Sequence, residues 1–192
     1  MPYIELTPVE EATGERKAVY DEVERVRGKG RVSNLFKAYA AFPALAMANF
    51  KRLNVLLGEG TLSSKLKEAI LTALAEINHC DYCVSFHATA MLNAGASDEE
   101  VHAALEFDPQ RLGLSPKERA LFEYAMKANG DPHSITAEDI AELRKLGVTD
   151  SDLVETLETV NTGNSFNLFA GGLDVGTDSF LTYMTDRKSQ HA

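Results

Sequence analysis

The sequence has no tryptophan, only two cysteines and no long apolar run. A membrane-spanning helix needs about 20 predominantly apolar residues, and no segment approaches that length. The N-terminal stretch MPYIELTPVEEATGE carries too many charges for the apolar part of a secretory signal. A single cysteine pair also cannot supply the disulfide framework of a small secreted domain. We therefore expect a cytoplasmic protein that does not enter a membrane.

The sequence is also poor in basic residues, because 19 Lys and Arg stand against 29 Asp and Glu, and 19 − 29 gives a charge of −10. An acidic chain repels phosphate backbones and anionic lipids unless it carries a local basic patch. The sequence shows no such patch, so we expect no nucleic-acid partner. With 44% hydrophobic residues over 192 positions, the chain can bury a core without a metal or a disulfide.

Helix start and stop signals recur along the chain, and no segment shows the period-two alternation of a strand. One stripe at three-and-four spacing consists of Leu66, Ile70, Leu71, Leu74 and Ile77. Capping residues and prolines predict helix starts at Thr7 with Pro8, at Asn34, Pro43, Ser63 or Ser64, Cys80, Ser97, Ser115, Thr136, and Thr149 or Asp150. Matching ends are predicted at Gly28, Gly58, Asn78, Asn93 and near Gly147, with the last helix running toward Phe169. The fold class is all-α.

Two parts of the chain resemble each other at an offset of 52 residues, so that Ser63 falls on Ser115 and Ser97 falls on Thr149. This match predicts two copies of one helical unit within a single domain. Packing helices would occupy residues 1–60, a cysteine-bearing unit 61–106, and a second unit with the tail 107–192. The second copy has no counterpart of the cysteines, so we expect the chemistry in the first copy.

The residues best suited to chemistry are Cys80, Cys83 and His87, in the spacing C-x-x-C-x-x-x-H. At about 100° per residue they lie at roughly 0°, 300° and 340° on a helix, and therefore on one face. Two such cysteines can close a disulfide reversibly, and a helix N-terminus favours a thiolate. His87 lies one turn from Cys83 and can take its proton, which makes Cys83 the better candidate nucleophile.

Glu68 precedes Cys80 by twelve residues, so on one continuous helix the two would be about 18 Å apart. If the chain instead reverses near Asn78, two helices run antiparallel and Glu68 faces the region of His87. A carboxylate there can orient the imidazole and stabilise its protonated form, completing a Cys, His, Glu relay.

With these residues the sequence resembles the AhpD-like alkylhydroperoxidases of the carboxymuconolactone decarboxylase superfamily. The resemblance rests on E-x₁₁-C-x-x-C-x-x-x-H within KEAILTALAEINHCDYCVSFHATAMLNAGASDEEV. The entry segment RVSNLFKAYAAFPAL is similar to that of the longer, peroxidase-related members. The resemblance implies an AhpD-like helical bundle with antioxidant peroxidase activity, assembled as a homo-oligomer of three or six subunits.

The resemblance also assigns roles to the motif. Cys83 would attack the hydroperoxide, Cys80 would resolve the sulfenic acid into a disulfide, and His87 with Glu68 would relay the proton. Some members carry a histidine where this chain has Tyr82, so that part of the relay is altered. The reductant would be an external dithiol, on a dihydrolipoyl or thioredoxin-like protein, and exchange with it requires an exposed sulfur. No cofactor is expected, since no nucleotide-binding motif is present.

Other interpretations of the motif remain open at this point. Zinc could use Cys80, Cys83 and His87 with His79 or Glu76, although no second ligand pair is visible. The cysteines could also be an inert buried pair, or a redox sensor that switches an interface without turnover. A carboxymuconolactone decarboxylase-like lactone enzyme is the third alternative, but by resemblance those decarboxylases lack the cysteine pair.

Overall fold

The computed structural model describes residues 2–183, and within that range it contains helices and no strand. The all-α prediction is confirmed. The α-helices in the described range are Gly14–Arg27 (α1), Asn34–Tyr39 (α2), Pro43–Gly58 (α3), Ser64–Ile77 (α4), Asp81–Asn93 (α5), Asp98–Leu105 (α6), Pro116–Gly130 (α7), Ala137–Lys145 (α8) and Asp150–Gly172 (α9). Short 3-10 turns lie at Val9–Glu11, Pro109–Arg111 and Pro132–Ser134. The end of the predicted third segment, from residue 184, lies outside the described residues.

Helix α4 is the centre of the structure, because ten of its fourteen residues are buried. A helix that is enclosed on nearly every side belongs to the interior of a domain. It packs against α5 and α9 most extensively and also against α6 and α7. One apolar core surrounds α4 with α6 and α7, and a second lies between α1, α2, α3, the start of α5 and the end of α9.

Helix α9 approaches α4 closely at Gly163. A Cβ atom at this position would lie 2.9 Å from Leu74 Cδ1 and 3.0 Å from Leu71 Cδ2. Any larger residue would therefore push against the α4 side chains that back the cysteine-bearing turn.

A buried ion pair holds the first turn of α4 in place. Lys67 is 2% exposed, and its Nζ lies 2.6 Å from Glu155 Oε1 on α9. The same Nζ donates to the carbonyls of Leu56 at 2.7 Å and Glu59 at 2.9 Å. Because the ammonium lies beside a carboxylate and donates to two carbonyls, its charge is compensated inside the protein. Lys67 thereby fixes the position of its neighbour Glu68.

Several helix boundaries agree with the prediction from capping residues. Capping boxes begin α6, α7, α8 and α9. Ser63 caps α4, and Asn78 follows its last residue. The helix starts at residues 64 and 116, and at 98 and 150, are each separated by the offset of 52 residues. The duplication and the three-part division remain predictions.

Three predicted details are wrong. Helix α1 begins at Gly14 and not at Thr7, because Ala12 and Thr13 are extended and the φ of Gly14 is +58°. Asn34 was expected to cap α2, but the N-cap residue is Ser33. Asn34 is the first residue of the helix, and its side chain donates to the carbonyl of Gly176 at 2.9 Å. Ile77, expected in the buried stripe, is 41% exposed because it ends α4 at the turn.

Candidate functional site

The site is built on the tight turn between α4 and α5. Asn78 follows α4 and its side-chain amide donates to the carbonyl of Leu74 at 2.9 Å. His79 has a φ of +51°, in the left-handed region that ends helices sharply. The backbone N–H of Cys80 then donates to the carbonyl of Ala75 at 2.9 Å. The chain reverses within three residues, which sets α5 beside α4.

Cys80 and Cys83 form a disulfide at the start of α5. Cys80 is the N-cap residue of the helix, and its Sγ accepts a hydrogen bond from the backbone N–H of Cys83 at 3.3 Å. Both residues are buried, with exposures of 5% and 3%. Exchange with a reductant was expected to require an exposed sulfur, but neither cysteine is exposed in the disulfide form.

Glu68 and His87 are in direct contact, since His87 Nδ1 lies 2.8 Å from Glu68 Oε2. Both side chains are buried. An ionised carboxylate can only accept, so opposite such a carboxylate Nδ1 is the donor, and in a neutral imidazole Nε2 then keeps its lone pair. The reversal at Asn78 brings these residues together, as the antiparallel arrangement requires.

Tyr82, which lies between the two cysteines in the sequence, is buried. Its hydroxyl donates to Asp178 Oδ2 at 3.0 Å. Asp178 also accepts from the backbone N–H of Asn34 at 2.8 Å. Burial raises the pKa of Tyr82 far above its ordinary value and raises the pKa of Asp178. Tyr82 therefore anchors the segment after α9 against α5. Thr89 Oγ1 extends this anchor by accepting from the backbone N–H of Tyr183 at 3.0 Å.

The sequence matches the Carboxymuconolactone decarboxylase family over residues 37–125, a range that includes the turn and all four motif residues. The resemblance to this superfamily is therefore confirmed over that part of the chain. Among curated proteins, no sequence matches significantly.

Solved structures agree with an AhpD-like fold. An uncharacterized peroxidase-related protein from Ralstonia eutropha, described as an alkylhydroperoxidase AhpD core, is 20% identical with a TM-score of 0.80, and the alignment covers 93% of each chain. A peroxidase-related protein from a Silicibacter species is 22% identical with a TM-score of 0.81 and 95% coverage of both. The debrominase Bmp8, solved as a Cys-to-Ala variant with 2,3,4-tribromopyrrole, is 19% identical with a TM-score of 0.73 and covers 93% of this chain and 95% of its own. At these identities the likeness establishes the fold.

Arg27 lines the pocket beside Cys83 and His87, and the sequence analysis did not identify it. Its guanidinium lies over three aromatic rings, 5.5 Å from the centroid of Phe36, 5.4 Å from Phe50 and 5.7 Å from Phe86. Burial lowers the pKa of Arg27, while nearby Glu68 among others opposes that shift. Basic residues are common in the last turn of a helix, where they interact favourably with its dipole. The sequence therefore does not distinguish Arg27 from a surface arginine.

Two spaces adjoin the motif. A small pocket of about 20 Å³ is lined by Cys83 and His87 together with Tyr82 and Phe86. A larger cavity of about 550 Å³ lies next to it and is lined by Glu68 and Phe86 among others. Arg27, Leu57 and Phe86 line both, so they form the wall between the cavity and the cysteines.

A zinc site finds no support in the geometry. Within residues 2–183, no three His, Cys, Asp or Glu side chains are grouped so that they could hold a metal ion. In the same part of the chain, no helix is both long and apolar enough to cross a bilayer.

Proposed function

We propose that this protein is a thiol-dependent hydroperoxide reductase that cycles between the Cys80–Cys83 disulfide and the dithiol. The observation that carries the proposal is the placement of this disulfide at the start of α5, in the same motif as the buried His87–Glu68 pair. A CxxC pair at a helix N-terminus is suited to redox exchange, because the helix dipole stabilises a thiolate there. The buried base and carboxylate supply a route for the proton.

The oxidative half-reaction consumes one hydroperoxide. The Cys83 thiolate attacks the terminal peroxide oxygen, the O–O bond breaks, and His87 returns a proton to the departing RO⁻. Cys83 is then a sulfenic acid, which the Cys80 thiol attacks to form the disulfide and release water. The sum is ROOH plus two thiols giving ROH, water and one disulfide. Glu68 stabilises the imidazolium that exists between proton uptake and release.

The reductive half-reaction requires an external dithiol, which becomes a disulfide as the protein is reset. Burial of both sulfurs favours a slender donor, such as a dihydrolipoyl arm, over the broad surface of a thioredoxin-like protein. Assembly as a homo-oligomer and a cytoplasmic location belong to the same proposal. The exposed Val154 and Leu168 on α9 support self-association, because they present apolar surface at exposures of 68% and 79%.

The first test is the intact mass of the reduced protein before and after one equivalent of an organic hydroperoxide. The proposal predicts a rapid loss of two hydrogens. In Cys80→Ser a trapped sulfenic adduct should appear on Cys83, and Cys83→Ser should not react. Sustained consumption of hydroperoxide with excess dihydrolipoamide distinguishes an enzyme from a redox sensor. An unchanged mass after treatment would contradict the proposal, and activity retained in Cys83→Ser would favour a lactone enzyme.

Reductive debromination is a second candidate, favoured by the likeness to Bmp8 and by the aromatic ring of Phe86 beside Cys83. In that reaction a C–Br bond becomes C–H, bromide and a proton are released, and the two thiols are oxidised to the disulfide. The reduced protein would release bromide from 2,3,4-tribromopyrrole while losing two hydrogens. If only the hydroperoxide oxidises the dithiol, this candidate is excluded.

A further inference from the structure

The larger cavity beside the cysteines is amphipathic. Its walls include the apolar side chains of Leu57, Phe86 and Phe180, and two arginines, Arg27 and Arg31, also line it. Its volume of about 550 Å³ is in the range of small-molecule sites. Such a site combines an apolar body with a few polar groups that fix the orientation of a ligand.

These two arginines differ from others in this acidic chain. Four arginines form ion pairs with carboxylates, namely Arg25, Arg52, Arg111 and Arg144. Within residues 2–183, no carboxylate lies at ion-pair distance from Arg27 or Arg31, and both guanidiniums instead stack on aromatic rings. The cavity is therefore a local excess of positive charge on a protein whose net charge is −10.

The carboxylate that lines the cavity, Glu68, is already hydrogen-bonded to His87. It faces the same space as Arg27, so it opposes some of the positive charge without forming an ion pair. Burial of Arg27 disfavours its charged form, and an incoming anion would compensate that cost by forming charge-assisted hydrogen bonds. Arg31 is exposed and lines the same cavity, so a ligand can reach it from solvent. Guanidinium groups match carboxylates because both are planar and bind through two parallel hydrogen bonds.

We infer that this cavity binds the carboxylate of an amphiphilic organic acid, with Arg27 and Arg31 as its anchors and the apolar walls around its chain. Because Arg27, Leu57 and Phe86 also line the pocket at Cys83, the bound chain extends toward the nucleophile. A second part of the inference rests on the proposed function, namely that the preferred hydroperoxide carries a carboxylate on an apolar body. The binding step itself does not depend on peroxidase activity.

Binding can be measured on the full-length disulfide form with octanoate and octanol, which share an apolar chain and differ in charge. Calorimetric or NMR titration should show octanoate binding about tenfold more tightly, the preference that one charge-assisted pair provides. Arg31→Gln, at an exposed position, should remove most of this preference. Arg25→Gln is the matched control, because Arg25 is exposed in the last turn of α1, pairs with Glu22 and does not line the cavity. Arg27→Lys should weaken octanoate binding while it keeps the charge and a folded helix.

Equal binding of octanoate and octanol would overturn the inference, and so would the absence of binding by either. A preference that survives Arg31→Gln and Arg27→Lys together would overturn it as well. Circular dichroism of each variant confirms that the helices are intact before its binding is compared.

The kinetic part compares a fatty-acid hydroperoxide with its methyl ester as oxidants of the reduced protein. We expect the acid to form the disulfide about tenfold faster at low concentration, and Arg31→Gln to bring the two rates together. If octanoate binds through the arginines but neither hydroperoxide forms the disulfide, the proposed function fails and the cavity assignment stands. If both hydroperoxides react equally and octanoate does not bind, the cavity assignment fails and the peroxidase proposal stands.

Discussion

Replacing Glu68 with glutamine isolates the contribution of its charge. Glutamine has nearly the same shape, and its carbonyl oxygen can still accept the proton that His87 Nδ1 donates across 2.8 Å. The neutral imidazole should therefore keep its position. The substitution removes the negative charge that, in the proposed mechanism, stabilises the imidazolium formed when His87 takes the thiol proton.

The size of the effect follows from the burial of the pair. Both side chains are about nine-tenths buried, so water screens the contact only weakly. A hydrogen bond to a charged group contributes about 1.5–3 kcal/mol, and each 1.36 kcal/mol of barrier corresponds to about tenfold in rate. We therefore expect Glu68→Gln to slow oxidation of the dithiol by about ten- to a hundredfold.

The assay is a single-turnover stopped-flow measurement of disulfide formation with excess cumene hydroperoxide. Glu158→Gln is the matched control, because Glu158 is half-exposed, pairs with Arg52 and lies away from the motif. It should react at the wild-type rate. Oxidation of Glu68→Gln at the wild-type rate, with an unchanged melting temperature, would refute the role of the carboxylate in the relay.

Two further predictions concern stability. Gly163→Ala should lower the free energy of unfolding by about 1 kcal/mol in urea titration, because its Cβ meets the side chains of α4. Gly171→Ala, which meets no atom within 4 Å, should instead gain about 0.5 kcal/mol, and equal effects of the two would contradict the packing argument. Burial raises the pKa of Asp178 in the folded protein above its unfolded value of about 3.9. The stability that the protonated Asp178 contributes is therefore fully present below the unfolded pKa and is lost as the pH rises through the folded pKa. Asp178→Asn should thus gain stability relative to wild type as the pH rises above about 4 in thermal denaturation. A difference that stays constant with pH would show that Asp178 does not titrate in this way.

Much of the helical order was predictable because it depends on local chemistry. Ser97 with Glu100 and Ser115 with Glu118 form capping boxes in the structure, as their spacing indicates. Such signals involve residues three positions apart and need no knowledge of the tertiary fold. The failure at Thr7 has the same origin, because a cap followed by proline is compatible with a single 3-10 turn as well as with a long helix.

The arrangement of the motif residues was predictable where it depends only on the turn between α4 and α5. The spacing between Glu68 and His87 predicts their contact once a reversal at Asn78 is assumed, and the structure has that contact. Arg27 and Asp178 were not predictable, because each reaches the site from a distant part of the chain. Only the tertiary packing of α1 and of the segment after α9 against α5 brings them there.

The three-residue turn at His79 also constrains how the length of these helices can change. Each residue inserted between Glu68 and the turn would rotate the carboxylate by about 100° around α4 and move it by about 1.5 Å along the axis. Four inserted residues nearly restore the direction but displace the carboxylate by about 6 Å, farther than the contact with His87 allows. The contact between Glu68 and His87 therefore requires a fixed number of residues between each of them and the turn. Point substitutions on the outer surfaces of α4 and α5 leave these counts unchanged, whereas a single insertion or deletion between Glu68 and His87 separates the two side chains.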